Sequence, residues 1–376
     1  MPSILTSSEL TTPAFLIDRA AVEKNCDAMR EKARRSGVGL RPHVKTHKTL
    51  EIARMQVGAA SGPITVSTLA EAEFFAAHGF TDITYAVPIS PDKLPRAAAL
   101  AARIHRLNLL LDSFSAVAAF EEFHRAHGHT FDVFLKVDCG YHRAGVDPSA
   151  PESFRLAAAL AGSKAVRFRG LLTHAGHSYH TSSVDEIRKI AQEEAATLTR
   201  FRGDVSKQVK AEMVRSVGST PTTSVMAELP EADEIRPGNY VFYDAFQAAI
   251  GACQLSQCAM SVLTTVIGSY PESSHLLIDA GALALSKDRG ADHLNPFPGF
   301  GTVCDLDLRL LPVKLTVLSQ EHGRIEGRPE TLARFGLGAR LRIIPNHSCL
   351  TAAMYDSYQV LENGKIAAQW RPVRGW

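Results

Sequence analysis

The stretch VGLRPHVKTHK, residues 38–48, places two lysines and two histidines directly behind a short apolar run. We predict VGLRPHV as a strand, because the helix-like segment KTLEIARMQVG follows it and the same alternation repeats along the chain. Lys45 then stands at the carboxyl end of that strand, where barrels of alternating strands and helices carry their functional groups. Taken alone, such a basic run is more typical of a solvated loop than of a reactive site.

Apolar, β-rich runs alternate with alanine-rich helical segments over the first two-thirds of the chain. Eight strand–helix steps of this kind predict an α/β fold, a (β/α)₈ barrel. The predicted strands are VGLRPHV, ITVST, ITYAV, LNLLLD, DVFLKVD, FRGLLTH, MVRSVG and NYVFYD. A further run, AFLID at residues 14–18, is one strand too many, and we place it outside the barrel wall.

The pattern changes after residue 250, where strand-like segments are joined by Gly, Pro and Asn turns without long helices. This change predicts a second, all-β domain. We therefore predict a barrel domain over residues 14–250 and a β domain over residues 251–376. The N-terminal segment, residues 1–13, is a candidate addition to the β domain.

Composition excludes several classes of protein. The 376 residues are 45% hydrophobic and carry a formal charge of +2, which suits a large core and argues against a nucleic-acid partner. No apolar run approaches the roughly 20 residues that span a bilayer, and the start, MPSILTSSEL, does not resemble a signal peptide. We expect no membrane partner, a cytoplasmic location and reduced thiols at the six scattered cysteines.

The position of Lys45 suits a lysine that reacts with carbonyl groups. A lysine becomes nucleophilic when burial or nearby cations disfavour its charged form, and Arg41 and His43 are close in sequence. Two glycine turns, in residues 216–222 and 236–244, come at the seventh and eighth predicted strands, where barrels frequently bind phosphate. Together these features suit a phosphorylated aldehyde.

With PHVKTHK at residues 42–48 and PNHSC at residues 345–349, the chain resembles the fold-type III enzymes of pyridoxal 5'-phosphate (PLP), the alanine-racemase-like barrels. Within them it is most similar to the zinc-dependent D-serine dehydratases of eukaryotes, over nearly the whole chain. The resemblance implies that Lys45 holds the cofactor's aldehyde as a Schiff base. The other implied contacts are Arg143 (in DCGYHRAG) at the phenolic oxygen, His174 (in LLTHAGHSY) against the pyridine ring, and Ser219, Thr220, Gly238 and Asn239 at the phosphate.

The resemblance leaves two donors open for the pyridine nitrogen: Arg236, which matches an arginine of the racemases, and Tyr179. Each residue also has an ordinary structural explanation. Arg143 could pair with Asp138, His174 could be a core histidine bonded to backbone, and Tyr179 could be a loop aromatic. Their convergence on strand ends of one barrel favours the cofactor site.

A second group of candidate ligands, His347 and Cys349, lies in IIPNHSC. If these residues end an apolar strand, positions two apart point to one face, and the imidazole and thiolate can meet one metal ion. Zinc accepts this pair, and two protein ligands leave positions for water or substrate. The alternative pair, His43 and His47, has a spacing that suits neighbouring loop positions better.

The predicted function is the dehydration of D-serine to pyruvate and ammonia, dependent on PLP and Zn²⁺, with D-threonine as a slower substrate. The alternative is retro-aldol cleavage of D-3-hydroxy amino acids, as in D-threonine aldolases. Those relatives commonly carry an aspartate where Cys349 stands, and a thiolate favours zinc over manganese or magnesium. A racemase would need a second acid–base residue, and a non-catalytic cofactor-binding barrel would lack the β domain. The resemblance also implies a homodimer.

Overall fold

The computed structural model describes Leu5 and residues 10–376, and this part of the chain forms two compact units. The barrel unit contains Cys26–Gly238 and Val373–Trp376. The β unit contains the described residues up to Asn25 and Asn239–Pro372. The predicted domain limits of 14–250 and 251–376 stay a prediction.

Strands and helices alternate along the barrel unit, whereas strands dominate the β unit. The strands in chain order are β1 (Ala14–Asp18), β2 (Gly39–Leu40), β3 (Ile64–Val66), β4 (Asp82–Pro88), β5 (Arg106–Leu111), β6 (Phe131–Lys136), β7 (Val166–Leu172), β8 (Val214–Val217), β9 (Glu234–Ile235), β10 (Met260–Tyr270), β11 (His275–Ile278), β12 (Thr302–Cys304), β13 (Val313–Leu318), β14 (Gly323–Gly327), β15 (Arg340–Ile344), β16 (Tyr358–Glu362) and β17 (Lys365–Trp370). The α-helices are α1 (Arg19–Arg35), α2 (Leu50–Val57), α3 (Leu69–Ala77), α4 (Leu94–Ala101), α5 (Phe114–His127), α6 (Pro151–Gly162), α7 (Val184–Val205), α8 (Thr220–Val225), α9 (Ala245–Ala249), α10 (Ala282–Leu285), α11 (Pro329–Leu332) and α12 (Ser348–Ala353).

The barrel unit is built on an 8-stranded parallel sheet in the order β2-β9-β8-β7-β6-β5-β4-β3. A parallel bridge between His43 and Thr65 joins its two ends, and the Thr65 N–H donates to the carbonyl oxygen of Pro42 at 2.9 Å. These contacts close the sheet. The predicted alanine-racemase-like barrel is confirmed, and its carboxyl strand ends carry Lys45, Lys136, His174 and Gly218.

One of the eight predicted barrel strands is wrong. NYVFYD does not form the last strand, because Asn239–Val241 is a 3₁₀ helix and the sheet is completed by β9. Tyr240, Val241 and Phe242 are all fully buried. A short run that is buried on every side looks the same in sequence whether it is extended or helical.

Side-chain caps fix where the barrel helices begin. Thr68, Ser113 and Ser183 each accept a hydrogen bond from a backbone N–H of the first turn of α3, α5 and α7. Helices α2 and α5 end at Gly58 and Gly128 in the left-handed conformation that favours glycine. Local side-chain and glycine chemistry therefore fixes the ends of these helices.

The β unit contains a 9-stranded mixed sheet. Strand β1 pairs antiparallel with β10 and parallel with β16, which confirms that AFLID lies outside the barrel wall. Val262, Leu276, Ile325 and Ile343 are among the fully buried side chains of its core. The predicted β domain is confirmed, with short helices α10, α11 and α12 between its strands.

Two further expectations concern the whole chain. No helix within the described residues is long and apolar enough to cross a membrane. All six cysteines lie in the described part of the chain and are free thiols, as predicted.

Candidate active site

Lys45 lies in a 3₁₀ turn, Val44–Thr46, directly behind the strand end that holds His43. The Nδ1 atom of His43 accepts a hydrogen bond from the backbone N–H of Lys45 at 3.4 Å, and its Nε2 atom lies 3.3 Å from the Ser67 hydroxyl. The Lys45 side chain is exposed, although its neighbours Val44 and Thr46 are buried. The turn is therefore anchored by buried residues on both sides of Lys45 and exposes the Lys45 amine.

The other basic residues of the opening stretch are committed elsewhere. Lys48 forms an ion pair with the fully buried carboxylate of Glu71 at 2.9 Å. His47 is buried, with its Nδ1 atom accepting the Thr49 N–H at 3.0 Å and its Nε2 atom 3.0 Å from the side-chain oxygen of Gln56. Because both ring nitrogens of His47 are occupied, it does not suit the alternative metal pair of His43 and His47.

The structure brings four predicted cofactor residues into one basic cluster. Burial, together with the positive charges of Lys45, Arg143 and Arg236, lowers the pKa of His174 well below its usual value. Burial and the charges of Lys45 and Arg236 do the same to the pKa of His43. Both imidazoles are therefore neutral near pH 7, and the cluster carries its positive charge on amines and guanidinium groups.

Arg143 does not pair with Asp138. One carboxylate oxygen of Asp138 accepts the backbone N–H groups of Gly140, Tyr141 and His142 at 2.9, 3.0 and 3.0 Å. The other lies 2.7 Å from Nδ1 of His142. The Arg143 guanidinium instead lies 5.1 Å from the centre of the Tyr141 ring. The ordinary explanation for Arg143 is therefore wrong, and the guanidinium stays available to an anion.

Arg236 is buried, and burial lowers its pKa to about 10. Its two terminal nitrogens donate to the Ser216 hydroxyl and to the carbonyl oxygen of Thr173. Tyr179 lies half-buried in the 3₁₀ helix Gly176–His180. Both residues stay candidates for the pyridine nitrogen.

The turn that follows β8 is held by its own side chains. Ser219 caps α8 through a capping box, in which its hydroxyl accepts from the Thr222 N–H and the Thr222 hydroxyl accepts from the Ser219 N–H. The Ser219 hydroxyl also lies 3.0 Å from that of Ser178. The assignment of Ser219 and Thr220 to a phosphate stays a prediction.

The residues of the barrel unit fit an anionic cofactor. A Cβ atom at Gly238 would lie 2.9 Å from both the Cβ atom and the carbonyl oxygen of His43, so only glycine lets the chain approach this closely. Lys45 and Arg236 supply positive charge at His43 beside that turn, and Arg143 supplies it at His174. A phosphorylated aldehyde would meet a nucleophilic amine and a positive surround.

Sequence reasoning missed two buried ionisable residues of the cluster. Glu194 on α7 accepts the N–H groups of Ala175 and Gly218, both at 3.0 Å, and burial raises its pKa. Lys136 ends β6, and burial with the charge of Arg236 lowers its pKa to about 8. The available signal was position: Glu194 occupies the apolar face of α7, and Lys136 stands in the apolar run FDVFLKV.

The predicted metal pair lies in the β unit, but not on a strand. Strand β15 ends at Ile344, His347 is the N-cap of α12, and Cys349 lies in the first turn of that helix. The expectation that a strand end aims both side chains at one face is wrong. The two side chains meet because the chain turns between the strand and the helix. Burial opposes a charged His347, but hydrogen bonds to Asp288 and Cys349 outweigh this effect and raise the pKa of His347 to about 11.

The donor atoms of this pair fit zinc. Nδ1 of His347 lies 2.8 Å from a carboxylate oxygen of Asp288, which leaves Nε2 as the nitrogen for a metal, beside the sulfur of Cys349. Within the described residues, no cluster of three or more His, Cys, Asp or Glu side chains is arranged to hold a metal ion. A site here would rest on the two protein ligands that the sequence predicts.

Asn239 belongs to this second constellation. Its Nδ2 atom donates to a carboxylate oxygen of Asp244 at 2.7 Å and to the Ser348 hydroxyl at 2.8 Å, and lies 3.7 Å from the sulfur of Cys349. The side-chain nitrogen of Asn239 is therefore already bonded, and a contact between Asn239 and the phosphate, as predicted, would be made by its backbone.

Comparison with known proteins agrees with both halves of this description. Residues 17–245 match the family "Alanine racemase, N-terminal domain", and residues 259–361 match "Putative serine dehydratase domain". The D-serine dehydratase of Dictyostelium discoideum is 38% identical over 98% of both chains. This chain belongs to the D-serine dehydratase family.

Relatives of the D-serine dehydratase family differ in substrate. The D-threo-3-hydroxyaspartate dehydratase of Delftia sp. is 39% identical over 98% of both chains. Its solved structure superimposes with a TM-score of 0.92 at 38% identity, covering 100% of both chains. A cysteine-to-alanine variant of that enzyme has been solved in a metal-free form. The D-threonine aldolase of Filomicrobium marinum, at 26% identity over 97% of this chain and 95% of its own, superimposes with a TM-score of 0.81.

Proposed function

We propose that this chain dehydrates D-serine to pyruvate and ammonia, with PLP on Lys45 and zinc on His347 and Cys349. We further propose D-threonine as a slower substrate, and a cytoplasmic homodimer as the working form. The observation that carries the proposal is the exposed amine of Lys45 inside a cluster with Arg143, His174 and Arg236. The family provides the reaction class.

In this proposal Lys45 has two tasks. Its Nζ atom would hold the cofactor's aldehyde, and as a free amine it would take the proton from the substrate's α-carbon. PLP, when bound, supplies an electron sink for the charge that the lost proton leaves behind.

The other residues of the barrel unit bind and orient. Arg143, held against the Tyr141 ring, offers its guanidinium to an oxygen anion of the cofactor. The neutral ring of His174 offers a flat face to the pyridine ring. Arg236 or Tyr179 would meet the pyridine nitrogen.

His347 Nε2 and Cys349 Sγ would hold zinc in the β unit. When bound, the metal supplies Lewis-acid assistance to a hydroxyl leaving group, which is otherwise poor. A metal competes with protons for an imidazole nitrogen and a thiol sulfur, so occupancy should increase with pH. The thiolate is the feature that separates this site from the aldolase alternative.

A second candidate substrate is D-threo-3-hydroxyaspartate, which the Delftia relative is named for. The reaction class is the same: loss of water across the Cα–Cβ bond and hydrolysis would give oxaloacetate and ammonia. The two candidates differ only in whether the β-carbon carries a hydrogen or a carboxylate.

One experiment separates these functions. Purified PLP-loaded protein is incubated with D-serine, L-serine, D-threonine and D-threo-3-hydroxyaspartate, with and without a chelator, and every product is identified. Pyruvate from D-serine, lost on chelation and restored by zinc, supports the proposal. Oxaloacetate as the faster product favours the second candidate, glycine with acetaldehyde identifies an aldolase, and L-serine identifies a racemase. Protein that stays colourless with PLP, or a Lys45→Ala variant that keeps full activity, refutes the role of Lys45.

A further inference from the structure

The metal pair of the β unit is surrounded by polar contacts that none of the predicted site residues explains. Asp288 bonds His347 from one side, and Asn239 approaches Cys349 from the other. Neither contact joins neighbours in sequence. Both side chains are fixed by further hydrogen bonds, so their positions do not depend on a ligand.

Asp288 is held from both ends. Its own carboxylate accepts the Gly290 N–H at 2.7 Å, and its carbonyl oxygen accepts from Nδ2 of Asn346 at 3.0 Å. Gly290 has a φ of 62°, and a Cβ atom there would lie 3.1 Å from the side chain of Asn346. Asn346 directly precedes His347 in the chain. Its side chain therefore holds Asp288 where the Asp288 carboxylate can bond the His347 imidazole.

This contact decides which nitrogen of His347 is free. A carboxylate accepts, so Nδ1 must carry the hydrogen of this bond, and Nε2 is the nitrogen that a metal would bind in place of a proton. A ring bonded at Nδ1 also cannot turn freely about its Cβ–Cγ bond. The direction of the Nε2 lone pair is therefore set before a metal arrives.

The amide of Asn239 is oriented by a second carboxylate. One oxygen of Asp244 accepts from Nδ2 of Asn239 at 2.7 Å and from the backbone N–H of Ser348 at 3.0 Å. Nδ2 then also faces the Ser348 hydroxyl and the sulfur of Cys349, at 2.8 and 3.7 Å. The Oδ1 atom of Asn239 is buried with no hydrogen-bond partner among the described residues. The amide is thus kept with its donor side towards the sulfur.

We propose that Asp288 and Asn239 are positioning residues of the metal pair: Asp288 sets the tautomer and direction of His347, and Asn239, whose two amide hydrogens go to Asp244 and Ser348, holds the turn that carries the sulfur of Cys349. A sulfur held in place before binding loses less freedom when a metal arrives. The inference rests on the proposed zinc role of His347 and Cys349. It goes beyond that role because it assigns the tuning of the site to residues that do not touch the metal.

The test measures metal binding, not turnover. Chelator-stripped wild-type protein, Asp288→Asn, Asp288→Ala, Asn239→Ala and His347→Ala are titrated with zinc in competition with a chromogenic chelator. Asp292→Asn is the matched control, because Asp292 lies exposed on the same segment and loses the same charge. We expect Asp288→Ala to bind zinc about 10- to 100-fold more weakly, and Asp288→Asn to fall between it and wild type because an amide oxygen still accepts from Nδ1.

Cobalt(II) distinguishes the two positioning roles. A cobalt–thiolate bond gives an intense near-ultraviolet charge-transfer band that responds to the position and surroundings of the sulfur. We expect Asn239→Ala to shift this band, and Asp288→Asn to leave its position unchanged while weakening affinity. A merely structural role would lower the melting temperature of the metal-free protein without either effect.

The outcomes separate the two levels of the proposal. Wild-type protein that binds zinc, with His347→Ala impaired and the Asp288 and Asn239 variants within about twofold of Asp292→Asn, overturns the positioning roles and keeps the metal site. Wild-type protein that binds zinc no better than His347→Ala overturns both. Should Asp288→Ala fail to fold, Asp288→Asn and the cobalt band of Asn239→Ala still decide the question.

Discussion

Acidification should loosen the turn that carries Lys45, because His47 would have to accept a proton inside the barrel unit. His47 has no exposed surface. Its Nδ1 atom already accepts the Thr49 N–H, and its Nε2 atom faces the side-chain oxygen of Gln56. A second ring proton would have to go to Nδ1, opposite another donor. Burial accordingly lowers the pKa of His47 to about 4.

The loss in free energy of unfolding follows from the difference between the pKa of His47 in the folded and in the unfolded chain. The folded value lies below the ordinary one of 6.5, so the stabilisation is complete above that pH and is lost as the pH falls towards 4. The full difference corresponds to about 3 kcal/mol. Between about pH 7.5 and pH 4.5, a loss of about 2–3 kcal/mol is expected from this residue.

Hydrogen exchange measured by mass spectrometry reports this loss locally. Peptides covering residues 44–57 are compared at each pH between wild type, His47→Asn and His105→Asn, where His105 is the exposed control. Wild-type protection there should fall about 30- to 100-fold more than that of His47→Asn on acidification, since about 1.4 kcal/mol corresponds to a factor of ten. Equal losses in wild type and His47→Asn would refute the reasoning, because His47 would then not be the group that resists protonation.

Three further predictions concern the barrel unit. Glu194→Ala leaves two buried N–H groups without their acceptor, which costs about 1–3 kcal/mol each. The variant should retain PLP less well in equilibrium dialysis. Glu194→Gln, which keeps an acceptor, and Glu193→Ala, which changes an exposed residue, should retain PLP as the wild type does. Arg41→Met breaks the buried ion pairs of Arg41 with Asp82 and Glu234, both at 2.7 Å, and should destabilise the protein by about 3–5 kcal/mol in urea unfolding; a change below about 1 kcal/mol would contradict this. Gly176→Ala places a Cβ atom 2.2 Å from the Tyr141 ring, so the ring should move and displace Arg143, which lies against it. The absorbance of bound PLP would report this displacement. Gly203→Ala, with open space around the new Cβ atom, should leave that absorbance unchanged.

Much of the barrel could be predicted because its pattern is local. Strands such as LNLLLD and the helices behind them repeat a periodicity that each segment carries by itself. The position of Lys45 followed from the same alternation, because a strand end has a fixed place in a parallel barrel. AFLID could be excluded from the wall by counting strands alone.

The two wrong expectations share a cause. NYVFYD and IIPNHSC are both apolar runs that lead into polar residues, and the sequence predicts an extended conformation for each. In the structure, each gives way to a helical turn, at Asn239–Val241 and at Ser348–Ala353. Burial on every side removes the alternation that would distinguish the conformations. His347 and Cys349 still meet, because a helix N-terminus can bring residues two apart together as a strand can.

The residues that were missed depend on contacts distant in sequence. Asp288 bonds His347 across 59 positions, and Glu194 reaches Gly218 across 24. No periodicity within a segment encodes such pairs. The local signs were a carboxylate on the apolar face of α7 and a lysine, Lys136, in an apolar run, because an unpaired charge rarely occupies such positions.

The carboxylates of the barrel unit explain why its basic cluster suits an anionic ligand. The carboxylate oxygens of Asp138 bond backbone N–H groups and His142, and Glu194 accepts hydrogen bonds from two backbone N–H groups. Glu234 bonds Arg41 and the Ser216 hydroxyl. None of these bonds reaches Arg143, whose guanidinium rests on an aromatic ring. A protein that needed only structural ion pairs could have turned Asp138 to the arginine five residues away. Here the Asp138 carboxylate is bonded within its own loop, so the exposed Arg143 guanidinium keeps its charge available to a phosphate or another anion.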